Sequence, residues 1–509
     1  MGKELLIVIG WLYALLAIIL GIYSSNMLFM TFQYWALRFR KRVRPPAESI
    51  LPPAIELDPW PIVTIQLPLY NEQQVARRLI DAVACLDYPA DRLHIQVLDD
   101  SNDDTREIVA ERVAYWSSKG IWITDHHRES RAEFKAGALR EGLDSTPGEF
   151  IAIFDADFVP PADWVKRALA PFYEPGSEKI GLVQTRWSHI NEEFSILTRA
   201  QALAIDAHFG IEQTVRFQTG LFMSFNGSGG IWRRNCIEDA GNWRGSTLSE
   251  DLDLSYRAQL RGWKIAYLPD LTAPAEVPPF MAGFKRQQFR WTKGTIQVAR
   301  LLAGSLLRAP VSPWVKVQGL IQLTNYVAHP MMLLLLVLTL PMTLWGGQVF
   351  RQFNLGWLGV ISLGPPLFYT TAQAAVFDGA HRWGRLLRLP FLVMLGVGIA
   401  VNNSRAVFEA LIGKRSAFER TPKTGLTRGL RAVGNLRKEK IKIDTLTWVE
   451  LILCLYASVN AILWLQRDNW IGAVFFALYA AGFAWVALET LWESLDISRL
   501  IRVVLTLFQ

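Results

Sequence analysis

The chain has 509 residues, of which 51% are apolar, and it carries a formal net charge of +7. Its mean hydropathy of +0.18 excludes a purely soluble enzyme, and its length predicts two or three domains. The three cysteines, Cys85, Cys236 and Cys454, are too widely spaced for a metal site or a disulfide scaffold, and they fit a reduced, cytosolic environment.

The first element is a long apolar segment. Residues 5–37 contain no charged residue, which is ample for one membrane-spanning helix of ~20 residues. Five of the seven residues Arg38–Arg44 are basic, and such clusters mark the cytoplasmic end of a span, so a secretory signal is the weaker alternative. We therefore expect a spanning helix within 1–37, with its N-terminus outside the cell. A basic, proline-rich linker over 38–61 follows it.

The next segment alternates apolar strands with amphipathic helices, which is typical of an α/β domain with a doubly wound, largely parallel sheet. Strands are predicted at 62–67, 94–99, 121–124, 150–154 and 180–185, and helices at Gln73–Leu86 and Thr105–Lys119. In such sheets ligands bind beyond the carboxyl ends of the strands. Three of these strand ends carry polar or acidic residues.

These strand ends read Pro68-Leu69-Tyr70-Asn71-Glu72, Asp99-Asp100 and Asp155-Ala156-Asp157. Asp104 and Thr105, just after the second end, are explained equally well as the cap of the next helix. An Asp-x-Asp spacing alone is common, but here it follows an apolar strand and a second acidic strand end. Because Mg²⁺ is usually shared between one or two carboxylates and substrate phosphates, we predict a nucleotide-sugar site with a divalent cation.

Two later motifs carry further candidates. Asn226-Gly227 opens a glycine-rich loop, which is either a close backbone approach to a ligand or only a turn. Ser249-Glu250-Asp251 places acids at a probable helix start, where they could serve as helix capping. The functional alternative is that Asp251 is the general base that removes a proton from an acceptor hydroxyl.

A short segment then combines Gln287, Arg290 and Trp291. A tryptophan face suits a sugar ring, and the arginine fork suits a diphosphate. On its own this combination is more typical of a solvated helix face. The upstream acidic motifs and the membrane region directly after it favour the functional interpretation.

The order of these motifs resembles the inverting family 2 glycosyltransferases of the cellulose synthase type. Within that family the chain is most similar to the plant cellulose-synthase-like mannan and glucan synthases and their bacterial relatives. This narrower likeness is carried by the segments 134–139 and 202–209. The resemblance implies a GT-A catalytic domain over 62–291, inserted between transmembrane helices.

The resemblance also implies a role for each matching residue. The donor, UDP-glucose or GDP-mannose, would be held by Pro68, Tyr70, Glu72, Asp99, Asp100, Lys135, Asp155, Gln287, Arg290, Thr421 and Lys423. Asp155 and Asp157 would bind Mg²⁺ or Mn²⁺, and Asp251 would be the base. The acceptor would be bound by Trp291, Glu250, Asn226 and Gly227. The motif usually begins with threonine where Ser249 stands, and both carry a hydroxyl.

The membrane half, 292–509, begins with an amphipathic segment, 292–309, predicted to lie in the interface. Four further spans are predicted at about 317–345, 355–377, 446–465 and 470–491. The apolar segment 389–413 contains charged and amide residues and has basic flanks on both sides, so we predict that it is interfacial. This topology gives five spans and a cytoplasmic C-terminus.

The basic loop 414–443 contains Phe418-Glu419-Arg420-Thr421-Pro422-Lys423. It resembles the gating loop of cellulose synthases, with Arg420 where valine is usual, and without that resemblance it is only a positively charged cytoplasmic loop. Its charge favours anionic lipid or phosphate over nucleic acid, because no nucleic-acid motif accompanies it.

The sequence therefore predicts a multi-pass protein of the plasma or inner membrane that transfers hexose to a growing β-linked polysaccharide and translocates it. One alternative is transfer of a single sugar to a membrane lipid, as ceramide glucosyltransferases do. A non-catalytic transporter or scaffold is disfavoured by the intact acids at every motif. The oligomeric state does not follow from the sequence.

Overall fold

The computed structural model describes residues 3–46, 51–346, 363–414, 416, 419–421, 423–425 and 444–494. Its strands are β1 Val63–Leu69, β2 Leu93–Asp99, β3 Ile123–His127, β4 Phe150–Ile153, β5 Ile180–His189, β6 Gly230–Arg233 and β7 Lys264–Ala275. The helices of the first half are α1 Lys3–Phe39, α2 Ala76–Ala84, α3 Thr105–Ser118, α4 Phe134–Asp144, α5 Trp164–Leu169, α6 Ile196–Ala207, α7 Thr214–Thr219, α8 Arg234–Asp239 and α9 Glu250–Leu260. Those that follow are α10 Met281–Arg308, α11 Pro313–Thr324, α12 Ala328–Trp345, α13 Gly364–Val376, α14 Gly379–Leu386, α15 Leu389–Gly398, α16 Ala400–Leu411, α17 Thr445–Leu465 and α18 Trp470–Ser494.

One seven-stranded sheet organises the first half of the chain, in the order β3-β2-β1-β4-β6-β5-β7. The first four of these strands are parallel, as predicted. β6 is antiparallel to both β4 and β5, whereas β7 is parallel to β5, so the sheet is mixed but four of its six strand pairings are parallel, as predicted. The carboxyl ends of β1, β2 and β4 meet at one edge and bring the predicted acidic motifs together.

Apolar side chains cover both faces of the sheet. Alternate residues of a strand point to opposite faces, and in β4 Phe150 belongs to one hydrophobic cluster and Ile151 to the other. α2 and α5 supply the first cluster, and α4 and α9 supply the second. This double burial explains the near-continuous apolar runs of the central strands.

Four helices or continuous helical segments within the described residues are long and apolar enough to span a membrane. They are Glu4–Phe39, Pro313–Trp345, Thr445–Leu465 and Trp470–Ser494. They match four of the five predicted spans. The fifth, 355–377, lies partly outside the described residues, and its described portion is α13.

The segment predicted as interfacial consists of two helices. Arg382–Gly398 and Ala400–Leu411 meet at a bend of 42°, which is compatible with a broken span or a re-entrant loop. α16 packs along α10, whose Lys293 pairs with Glu409 at 2.8 Å. The other predicted interfacial segment, 292–309, is the second half of α10, so the domain boundary expected at 291 falls inside a continuous helix.

Candidate active site

A single cavity lies at the carboxyl edge of the sheet, between the sheet and α10. It contains nearly all of the candidate residues named from the sequence. Those that line it are Pro68, Tyr70, Glu72, Asp100, Lys135, Asp155, Asp157, Asn226, Gly227, Glu250, Asp251, Gln287, Arg290, Trp291, Thr421 and Lys423.

Asp99 is the exception among the predicted residues, because it does not line this cavity. Its side chain is buried beneath the strand end, where its carboxylate accepts a hydrogen bond from the Ser101 backbone N–H at 2.9 Å. Asp100 does face the cavity, but Arg128 donates to both of its oxygens at 2.7 and 2.6 Å. Asp100 is thus already paired with a cation.

The cavity wall beside Tyr70 contains a stacked cation. The guanidinium carbon of Arg131 lies 3.4 Å from the centre of the Tyr70 ring. Arg131 belongs to a loop in which Glu133 and Phe134 both have positive φ, at 57° and 51°, which is rare for such residues. Backbone strain of this kind clusters at ligand sites, and here it presents Arg131 and Lys135 to the cavity.

Asp251 lies at the first turn of α9. A Cβ added at Gly227, whose φ is +83°, would be 2.8 Å from Asp251 Oδ2, so the glycine loop leaves room for this carboxylate. Burial, reinforced by neighbouring Glu250, raises the pKa of Asp251 to about 7. A carboxylate with a pKa near neutrality is suited to general base catalysis.

Lys135 connects the strand end to this turn. Its ammonium lies 2.6 Å from Asp155 and 3.8 Å from Glu250, and it donates to the Gly227 carbonyl at 2.8 Å. Despite its burial, the neighbouring carboxylates raise the pKa of Lys135. It therefore remains a fixed positive charge beside the acids.

Asp157 lies deeper in the cavity and pairs with Lys423 at 2.8 Å. Its second oxygen, Oδ1, is buried and has no hydrogen-bond partner. No group of three or more His, Cys, Asp or Glu residues in the described part of the chain is placed to hold a metal by itself. Two carboxylates with one unsatisfied buried oxygen fit a hard cation that completes its ligands with substrate phosphates.

α10 supplies one wall of the cavity through Gln287, Arg290 and Trp291. It packs closely against the turn that bears Asp251, since a Cβ at Gly294 would lie 2.1 Å from Ser249 Oγ. The side chain of Gln297 also accepts a hydrogen bond from the Leu248 backbone N–H at 2.9 Å. The arginine and tryptophan of the cavity are thus rigidly attached to the segment that holds the candidate base.

The described residues 419–421 and 423–425 cover the cavity, which Arg420, Thr421 and Lys423 line. Arg420 pairs with Glu72 at 3.3 Å, and Thr421 accepts a hydrogen bond from Arg290 at 3.1 Å. Thr424 donates to Glu276 from its backbone N–H at 3.2 Å. Phe418 and Pro422 of the predicted gating motif lie outside the described residues.

Several residues at the cavity were not predicted as site residues from the sequence. Those that line it are Arg131, Trp187, His189, Glu276 and Arg420. Arg131 lies four residues before Lys135, and Arg420 directly precedes Thr421. Both could therefore have been predicted as site residues from their proximity to a motif. The other three lie outside any recognised motif. Trp187 and His189 belong to β5, and Glu276 directly follows β7.

Comparison with known proteins agrees with this geometry. Residues 61–294 match the family described as "Glycosyltransferase like family 2". Glucomannan 4-beta-mannosyltransferase 2 of Arabidopsis thaliana is 40% identical over 293 residues, which are 56% of this chain and 54% of the relative. Glucomannan 4-beta-mannosyltransferase 1 of Oryza sativa subsp. japonica is 37% identical over 305 residues, 58% of each chain. The chain thus spans about half the length of the curated relatives it matches.

Among solved structures, the mannosyltransferase PcManGT from Pyrobaculum calidifontis, in complex with GDP-Man and Mn²⁺, aligns with a TM-score of 0.47. Its sequence is 18% identical, and the alignment covers 79% of this chain and 100% of that one.

The mixed sheet with acidic strand ends at one edge defines a GT-A-like glycosyltransferase domain. Residues 61–294 are thus similar to family 2 glycosyltransferases, glucomannan mannosyltransferases are among the chain's relatives, and apolar helices flank this region on both sides. The resemblance expected from the sequence motifs is confirmed.

Proposed function

We propose that this protein transfers a hexose from a nucleotide sugar, with inversion, to the growing end of a β-linked polysaccharide. The catalytic domain over 62–291 is cytoplasmic and lies between membrane segments in 1–37 and 292–509. The donor is GDP-mannose or UDP-glucose, and the product is a β-1,4-linked mannan or glucan.

The observation that carries this proposal is the arrangement of two separate carboxylates in one cavity. Asp251 has a pKa near 7, whereas Asp157 is paired with Lys423 and retains an unsatisfied oxygen. Inverting transfer needs a base and a separately neutralised leaving group, because the two act on opposite sides of the anomeric carbon. One shared carboxylate could not do both.

In the proposed step, Asp251 takes the proton of the acceptor hydroxyl as that oxygen attacks the anomeric carbon. The bond from this carbon to the diphosphate oxygen breaks, and the nucleoside diphosphate leaves with the electron pair. Arg290, with Gln287, binds the diphosphate, and Trp291 stacks against the terminal sugar of the acceptor. Since the displacement is single, an α-linked donor yields a β-linkage.

Asp155 and Asp157 would hold Mg²⁺ or Mn²⁺ together with the donor diphosphate. The cation would supply charge neutralisation of the leaving group. Lys423 and Lys135 pair with Asp157 and Asp155, respectively. We propose that Lys423 turns to the diphosphate when the donor and the cation are bound, because an ammonium close to Asp157 is also close to the leaving group.

The membrane helices support processive extension with translocation. α10 presents Trp291 to the cavity, and besides the catalytic domain it contacts helices of the membrane half, including α16 through Glu409. The end of a polymer stacked on Trp291 would therefore leave the cavity towards those helices. Transfer of a single sugar to a lipid would require no such path.

The experiment is product analysis after incubating the purified full chain with radiolabelled GDP-mannose or UDP-glucose and Mn²⁺ or Mg²⁺. We expect a long product that a linkage-specific endo-hydrolase degrades, and the digest names both the sugar and the bond. A chloroform-soluble product bearing one sugar would replace this proposal by a glycolipid synthase. No incorporation from either donor, with Asp251→Asn as the background control, would contradict both.

A further inference from the structure

We propose that the last two membrane helices position the catalytic helix α10 through Glu493 and Glu450, so that Arg290 meets the donor diphosphate. This inference rests on the proposed function, because it takes the diphosphate as the partner of Arg290. Glu493 and Glu450 are then positioning residues, and neither lines the cavity.

The N-terminus of α10 is capped by a residue of another helix. The N-cap residue, Phe280, has no side-chain oxygen to cap the helix. Instead, the carboxylate of Glu493 in α18 accepts from the backbone N–H groups of Met281 at 2.5 Å and Ala282 at 2.9 Å. A carboxylate at this end also complements the helix dipole.

A second contact follows one turn further along α10. Lys285 pairs with Glu450 of α17 at 2.8 Å and donates to Thr490 of α18 at 3.3 Å. The Glu450 side chain is completely buried. A buried carboxylate keeps its place only with a partner, because an unpaired charge there is strongly unfavourable. The ion pair therefore fixes the first turns of α10 against both helices.

The fixed end and the catalytic end belong to one rigid element. Arg290 lies nine residues after Met281, which corresponds to a rise of about 13 Å along an α-helix. No proline interrupts this stretch of α10. A shift or rotation of the first turn is therefore transmitted to Arg290, and a misplacement of about 1 Å is enough to weaken a directed contact.

α18 carries another acid, Glu489, whose contacts differ from those of Glu493. Glu489 accepts a hydrogen bond from Trp485 of its own helix at 2.5 Å. It lies one turn before Glu493 and carries the same charge, and among the described residues it forms no hydrogen bond or ion pair with α10. Substitution of Glu489 thus removes a carboxylate from the same membrane helix without touching the catalytic helix.

The test compares the binding of nucleoside diphosphate and nucleoside monophosphate to the full chain in detergent, with UDP and UMP and with GDP and GMP. Only the diphosphate carries the group that Arg290 is proposed to bind. We expect Glu493→Ala to lower diphosphate affinity by about tenfold and to leave monophosphate affinity unchanged. Glu489→Ala should leave both affinities unchanged.

A double-mutant comparison separates positioning from general destabilisation. If Glu493 acts through Arg290, Glu493→Ala should add nothing to the loss caused by Arg290→Ala. Equal losses for mono- and diphosphate, in parallel with a lower melting temperature, would overturn the inference and leave Glu493 with a purely structural role. An unchanged diphosphate affinity in Glu493→Ala would also overturn it.

The same data distinguish this inference from the proposed function. If Arg290→Ala does not change the preference for diphosphate over monophosphate, the role given to Arg290 is wrong. If Arg290→Ala abolishes that preference and Glu493→Ala does not reduce it, only the positioning inference fails.

Discussion

At the scale of single residues, two lysines divide the acids of the cavity into separate functions. Lys135 lies between Asp155 and the turn that bears Glu250 and Asp251, whereas Lys423 reaches Asp157 from the covering loop. Asp251 is left without a direct ion pair in the described residues, and its burial keeps its pKa near 7. Environment alone thus separates the proposed base from the proposed cation-binding acid.

The first prediction concerns the base. Asp251→Asn keeps the shape of the side chain but cannot accept the acceptor proton, so we expect the transfer rate to fall by about 10³-fold. Nucleotide binding should be unchanged, because Arg290 and Asp157 remain. Asp144→Asn, on the exposed end of α4, is the matched control. A normal turnover rate in Asp251→Asn would remove Asp251 from the base role.

The second prediction concerns pH. Asp251 acts only when deprotonated, so the rate at saturating donor should rise about tenfold per pH unit below pH 7 and level off above it. Burial also raises the pKa of Glu72, to about 8. Because Glu72 is proposed to contact the donor, its titration should appear in the KM for donor. A flat rate between pH 5.5 and 8.5 would contradict a base with a raised pKa.

At the scale of elements, α10 joins the site to the membrane half, and glycine determines how closely it approaches α9. Gly294 is buried, and a Cβ there would lie 2.1 Å from Ser249 Oγ and 2.7 Å from the Ser249 backbone nitrogen. Gly304, two to three turns along the same helix, is exposed, and a Cβ there would meet only the end of Arg308 at 3.9 Å.

The third prediction uses this pair. Gly294→Ala should destabilise the protein by about 1–3 kcal/mol, because backbone atoms cannot move aside easily. It should also lower the transfer rate, since it displaces the turn of Asp251. Gly304→Ala should be neutral or stabilise by up to about 1 kcal/mol. Thermal unfolding and product formation measure both effects, and equal behaviour of the two variants would show that the α9–α10 contact is not tight.

The elements also show where sequence patterns suffice. Strands β1, β2 and β4 are apolar runs that end in acids, so both their positions and their cavity residues could be predicted. β7 was missed because Pro269 and Pro274 interrupt its pattern. Pro269 falls where the register with β5 shifts, and Pro274 is tolerated because β7 is an edge strand. β6 has only four residues and follows a glycine loop, so no period could be recognised.

Site residues could be predicted where they belong to a sequence motif. They could not be predicted where tertiary contacts determine the position of the side chain. Asp99 and Asp100 are adjacent in sequence, but alternation along the strand buries the first and exposes only the second to the cavity. Arg131 reaches Tyr70 through a loop with two positive φ angles, which no pattern predicts. Glu493 caps the N-terminus of α10 from another helix, and it lies 212 positions from Met281 in the sequence.

At the scale of the whole molecule, side-chain contacts order the membrane helices. Glu450 at the start of α17 and Glu493 at the end of α18 both contact the first turns of α10, beside the catalytic domain. Trp464, near the other end of α17, donates to Thr343 of α12 at 3.0 Å. The end of α12 and the connection between α17 and α18 therefore lie together on the side away from the catalytic domain.

α13 and α14 both contact elements on the side of the catalytic domain. Trp35, at the catalytic-domain end of α1, donates to Thr371 of α13 at 3.2 Å. Arg385 of α14 pairs with Asp206 of the catalytic domain at 2.5 Å. Within the described residues, these contacts place α13 and α14 on the side of the catalytic domain.

The last prediction tests this topology in intact cells. Gln466, exposed between α17 and α18, should lie outside, and the exposed native Cys85 of the catalytic domain should lie in the cytosol. We expect a membrane-impermeant maleimide to label Gln466→Cys before lysis, because the positive-inside rule places the basic linker and loop in the cytosol. Cys85 should react only after lysis, and it serves as the internal control in the same molecule. Labelling of Cys85 in intact cells, with Gln466→Cys protected, would invert the orientation and would remove the cytosolic supply of nucleotide sugar on which the proposed reaction depends.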